Sequence, residues 1–150
     1  MSKLTCLLLF YPAIMFSQGG KLSFSKNIFY LPFNSSVEDT LRLVNYSGEH
    51  GLKALQFRLN FIHDIKGNNN IEFKDIYKGK DIDLPEWSLQ YNIVKNPENS
   101  ETTIFVLLWN MSTGELPPGN YNDFIRFSYD LNGYREKKFN IQISDVTGSW

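Results

Sequence analysis

At 150 residues the chain has the length of one domain, and 15% aromatic with 21% charged residues places it among globular proteins, outside the disordered class. A formal net charge of -1 gives no basic footprint for nucleic acid or for an anionic membrane surface.

Residues 1–17 read as an export signal. Lys3 supplies the charged start, and Leu4 to Phe16 form an apolar run broken only by Thr5 and Pro12, short of the roughly 20 apolar residues a bilayer span needs. An uncleaved anchor or a buried first strand is the other reading of this run. Cleavage after Ser17 leaves a domain of residues 18–150, secreted, periplasmic or held at the cell surface, with no membrane insertion after signal cleavage. The one cysteine, Cys6, leaves with the leader. Disulfides, cysteine-ligated zinc and cysteine nucleophiles therefore fall out together. Loss of Lys3 takes the fifteen basic residues to fourteen against sixteen acidic ones, a net of -2.

Beyond the leader, apolar residues recur with period two, the mark of strands with one buried face. Short candidates are Leu22 to Phe24, Ile28 to Tyr30, Leu41 to Asn45 and Ile71 to Phe73, separated by polar stretches such as Asn34-Ser35-Ser36 and Gly67 to Asn70. The clearest strand alternates Leu55, Phe57, Leu59 and Phe61 with Gln56, Arg58 and Asn60. Trp87, Leu89, Tyr91 and Ile93 repeat the pattern around Ser88, Gln90 and Asn92, followed later by Ile125, Phe127 and Tyr129 and by Phe139, Ile141 and Ile143. Asp75 to Leu84 stays open between loop, edge strand and helical turn. The count of eight or nine strands predicts an all-β, two-sheet antiparallel sandwich with jelly-roll or immunoglobulin-like topology.

Pro118-Gly119 suggests a type II turn with Gly119 at positive φ, launching a strand near Tyr121. Leu131 to Gly133 suggests a bulged hairpin loop that pairs Ile125 with Phe139. Tyr121 fits either a tyrosine corner, its hydroxyl bonded to upstream backbone, or an ordinary core tyrosine.

No catalytic set emerges. His50 and His63 are the only histidines, sit in no nucleophile motif and lack metal-ligand spacing. Asp81, Asp83 and Glu86 read as a solvated acidic loop, without the glycine and spacing of a calcium loop. No cofactor or metal is implied. Three Asn-x-Ser sequons, at Asn34, Asn45 and Asn110, matter only in a glycosylating host.

The anomaly is Thr103 to Trp109, apolar on both alternating faces although a sandwich strand buries only one. Either a loop or long neighbouring side chains cover the second face, or an exposed row docks a partner. Ile104, Val106 and Leu108 suit the core, which leaves Phe105, Leu107 and Trp109 as the outward row, rimmed by Gln56, Arg58, Gln90 and Asn92.

Leu52 to Phe61 (LKALQFRLNF), Trp87 to Ile93 (WSLQYNI), Ile104 to Asn110 (IFVLLWN) and Leu116 to Tyr129 (LPPGNYNDFIRFSY) together resemble cohesin-like domains, the sandwich modules of bacterial cellulosome scaffolds and cell surfaces. A weaker resemblance, through Tyr121, is to immunoglobulin-like sandwiches. The cohesin resemblance implies a nine-stranded jelly roll without enzymatic activity that binds a dockerin-type partner across one sheet, or serves in adhesion. The expected function is thus an exported, non-catalytic module binding an extracellular protein. A polysaccharide-binding module is the alternative, because Trp and Tyr beside Asn and Gln suit sugar rings, and a secreted hydrolase is a third.

Overall fold

The computed structural model describes residues 5–10, 14–16, 20–25, 28–32, 35–46, 49–62, 70–96, 98, 101–132 and 138–150. Among the described residues eleven strands run in chain order: β1 (Thr5–Phe10), β2 (Ile14–Phe16), β3 (Gly20–Phe24), β4 (Ile28–Pro32), β5 (Ser35–Tyr46), β6 (Ala54–Ile62), β7 (Asn70–Lys78), β8 (Trp87–Asn96), β9 (Glu101–Asn110), β10 (Gly119–Asn132) and β11 (Lys138–Ser149). A 3-10 turn, Lys80–Ile82, sits between β7 and β8 and buries Ile82. Nine of the strands, β3 to β11, follow the segment read as a leader, in line with the expected number.

The strands form two sheets, ordered β4-β1-β11-β6-β9-β8 and β2-β3-β5-β10-β7. All pairings are antiparallel except β1 with β11. From β5 to β11 the chain changes sheet at every connection except β8 to β9. That winding is a jelly roll, whereas an immunoglobulin sandwich repeatedly joins neighbours within one sheet.

Alternation decides what fills the space between the sheets. Leu55, Phe57, Leu59 and Phe61 of β6 and Ile104, Val106 and Leu108 of β9 face Leu41 and Leu43 of β5 and Ile125, Phe127, Tyr129 and Leu131 of β10, all buried. The Phe61 ring lies edge-on to Phe127 and Tyr129 across the gap, at centroid distances of 6.3 and 5.9 Å. Such aromatic pairs favour edge-to-face geometry and tie one sheet to the other.

Three sequence expectations are corrected. The strands β10 and β11 lie in opposite sheets, β10 between β5 and β7 and β11 against β6, so Ile125 is paired with Leu41 and Lys78, not with Phe139. Gly133 itself, and with it the bulge expected there, lies outside the described residues. Gly119 has no positive φ; it is the first residue of β10, paired with Tyr46, so the turn is not type II. Ser35 and Ser36, read as part of a turn, open β5. The tyrosine corner does form, because the Tyr121 hydroxyl donates to the Pro117 carbonyl four residues upstream.

Candidate functional site

The outer face of the six-stranded sheet is assembled by three neighbouring strands, β6, β9 and β8, in continuous register. Gln56, Leu107 and Gln90 stand side by side, and the next row in the same direction is Arg58, Phe105 and Asn92. Flanking rows are Ala54, Trp109 and Ser88 on one side and Asn60, Thr103 and Val94 on the other. The seven residues singled out in the sequence therefore share one face of one sheet.

Their exposures differ in a way that locates the centre. Phe105 and Leu107 are 36% and 41% exposed, so the second face of β9 is open to solvent and not capped by a loop. Gln56, Arg58, Gln90 and Asn92 are exposed around them, while Trp109 is half-buried between Ala54 and Ser88. Gln56, Gln90, Tyr91, Asn92, Phe105, Val106 and Leu107 line a shallow depression of about 320 Å³. Its floor is apolar and its walls carry amides, which can both donate and accept hydrogen bonds.

One edge of this face is held by charge. The register of β11 on β6 slips between Ser144 and Thr147, where one extra residue forms a bulge and Asp145 takes φ 49°. Asp is among the few residues that tolerate this left-handed conformation. From the bulge its carboxylate reaches Arg58 at 2.9 Å, and the Arg58 guanidinium lies 4.7 Å from the centre of the Phe105 ring. The bulge, the arginine and the phenylalanine thus form a chain of contacts in which the ring is overlaid on one side by a cation.

Asn60, expected on the wet face, is instead buried, because its amide donates to Ser144 at 2.9 Å and accepts from Thr103 at 3.1 Å. That cross-strand polar ladder removes its hydrogen-bonding groups from solvent without leaving them unsatisfied. Val94, 45% exposed, belongs to the same outer face and extends its apolar part. Its place in the alternation after Ser88, Gln90 and Asn92 was the signal that could have found it. Asp145 gave no such signal, since a bulge inside a strand is invisible to periodicity.

Residues considered for other chemistry are engaged elsewhere. The His50 carbonyl accepts from the Tyr46 hydroxyl at 2.8 Å, and His63 lies outside the described residues. Asp81 accepts the Asp123 backbone N–H at 2.8 Å, and Asp83 lies 3.8 Å from Lys78. Among the described residues no group of three or more His, Cys, Asp and Glu side chains is placed to hold a metal ion. Also among them, no helix is long and apolar enough to cross a membrane.

No protein-family model and no curated protein sequence matches the chain. Solved structures do match. The sixth cohesin of Acetivibrio cellulolyticus scaffoldin B, crystallised with a Cel5 dockerin mutant, is similar over 97% of this chain and 84% of that chain, at 14% identity and a TM-score of 0.51. The Coh-OlpC-Doc435 type I cohesin–dockerin complex of Clostridium thermocellum matches over 95% of this chain and 94% of its own, at 15% identity and a TM-score of 0.45. At such identities the likeness to the scaffoldin cohesin is one of fold, and it agrees with the winding of the two sheets: the chain is a cohesin-like jelly-roll sandwich.

Proposed function

We propose that this chain is an exported, non-catalytic module that binds a protein partner through the outer face of β6, β9 and β8. The observation that carries the reading is the solvent-facing pair Phe105 and Leu107, an apolar centre ringed by Gln56, Arg58, Gln90 and Asn92. Protein interfaces have this anatomy, with a desolvated core inside a polar rim that excludes water. The cohesins it resembles in fold were crystallised with dockerins, and a dockerin-type partner is the kind this reading favours. In this account residues 1–17 direct export and are removed, and β3 to β11 supply the core residues described above.

A polysaccharide partner fits less well. Sugar rings stack on open aromatic faces, and here Arg58 overlies the Phe105 ring while the adjacent position is a leucine. The test is capture from the native extracellular fraction with wild-type chain and with Phe105→Asp/Leu107→Asp. A protein retained by the first and lost with the second is the expected result. No protein recovered, together with hits on a glycan array, would replace the protein reading with the polysaccharide one.

A further inference from the structure

Beyond the outer face, the rim of the same sheet carries a second feature. Among the described residues β8 ends the six-stranded sheet and pairs with β9 alone. Its register runs unbroken through ten residue pairs, from Trp87 to Asn96. It contains no proline, and Lys95 is its only charge. Tyr91 and Ile93 are each 40% exposed although they share the inward face with the buried Trp87. Long, regular, apolar edges of this kind invite another strand, and proteins ordinarily guard them with charges, bulges, prolines or shortness.

The other three edges are guarded in those ways. The strands β2 and β4 are three and five residues long, and β4 ends in Pro32; without residues 1–17 the edges become β3, five residues long, and β11, whose register on β6 breaks at the Asp145 bulge. At the far edge of the second sheet, β7 carries Glu72, Lys74, Asp75 and Lys78, and its register on β10 breaks between Ser128 and Tyr129. Lys74 there bridges Glu72 and Asp130 at 3.1 and 3.2 Å. Among the described residues, β8 combines length, an unbroken register and exposed apolar side chains.

The sequence of β8 also selects its occupant. We propose that β8 pairs antiparallel with β8 of a second copy of this chain, about a two-fold axis at Tyr91, joining the β8-edged sheets of the two copies into one continuous sheet. In that register Leu89 meets Ile93 of the second copy, Tyr91 meets Tyr91, and Gln90 meets Asn92. Apolar residues thus face apolar ones and amide faces amide, the pairing that stabilises antiparallel strands. Lys95 comes opposite Trp87, so no like charges oppose. An axis at Asn92 would set Gln90 against Val94 and Leu89 against Lys95, which the pattern disfavours. Within each copy the Tyr91 ring stands edge-on to Phe73 at 5.5 Å and its hydroxyl donates to Asp75 at 3.2 Å. The contact is isologous and closes at two copies, and it leaves both outer faces on one continuous surface.

Sedimentation equilibrium of the exported protein from micromolar to millimolar concentration tests the association. A monomer–dimer equilibrium is expected, with Ile93→Lys weakening it at least tenfold while thermal stability stays close to wild type. Register is tested in a Cys6→Ser background, so that the introduced cysteine is the sole thiol whether or not residues 1–17 are retained. Tyr91→Cys, opposite itself across the axis, should form a disulfide-linked dimer under mild oxidation, because directly opposed strand residues lie within disulfide reach. Ser88→Cys, opposite Val94, should not. A monomer at every concentration, a dimer indifferent to Ile93→Lys, or equal cross-linking at both positions would overturn the proposal. None of these results bears on partner capture by the outer face, so the two readings fail separately.

Discussion

Leu107 and Leu108 are chemically identical neighbours, and the account of the face rests on their pointing opposite ways. Leu108 is fully buried and Leu107 is 41% exposed. Leu108→Ala removes side-chain atoms from a closed core and leaves a cavity, at a cost of about 3 kcal/mol within the usual 2–5 kcal/mol. Full burial of a leucine is worth about 1.5–3 kcal/mol, so truncating the partly exposed Leu107 should cost about 1 kcal/mol. The gap of about 2 kcal/mol corresponds to about 4–8 °C in Tm for a domain of this size. Urea denaturation of the two variants, compared at equal m-value, measures it directly. Equal losses, or a larger loss at Leu107, would refute the assignment of faces and with it the exposed apolar row.

Other outcomes follow from the same packing. A side chain at Gly79 would place Cβ 2.1 Å from the Asp123 carbonyl oxygen, where Gly79 N–H also donates to Phe124 O at 2.8 Å, so Gly79→Ala should cost about 1–3 kcal/mol in a denaturation series. At the bulge, Asp145→Val should destabilise by about 1 kcal/mol more than Asp145→Gly, because both lose the Arg58 contact and only valine is strained at positive φ; equal losses would mean the bulge relaxes. On the opposite sheet, hydrogen bonds from Arg126 hold the Asp123 carboxyl below its ordinary value, Arg126 Nε donating to it at 2.8 Å. A depressed carboxylate stabilises fully above its unfolded pKa near 4 and loses that contribution as pH falls through the lower folded value. Stability should therefore decline below about pH 4, and less steeply in Asp123→Asn; identical acid slopes for the two proteins would remove Asp123 from the account.

Period-two alternation made the faces of β6 and β9 readable, down to Ile104, Val106 and Leu108 inside and Phe105 and Leu107 outside. It reports which side of a strand is apolar, and nothing about what lies beyond that side. Tyr91 and Ile93 continue the core pattern of Trp87 and Leu89, yet they stand exposed because β8 is the last strand of its sheet. Pairing was misread for a related reason. Local turn chemistry at Asn132 suggested that β10 and β11 are partners, but β10 takes its place between β5 and β7, contacts set across the whole core. Asn60 shows the converse, a polar residue on the outward side that is buried because Ser144 and Thr103 satisfy it. The Arg58 to Asp145 contact was hidden by the bulge that creates it.

The outer face of β6, β9 and β8 is tested by the affinity of the captured protein partner for wild type and for Phe105→Ala, titrated beside Ser128→Ala on the outer face of the opposite sheet. A residue at the desolvated centre of an interface should cost about 2 kcal/mol or more when truncated, a loss of about 30-fold in Kd. Phe105→Ala should show that loss, and Ser128→Ala an unchanged Kd. An unchanged Kd for Phe105→Ala, with the variant folded, would place the binding surface elsewhere on the molecule.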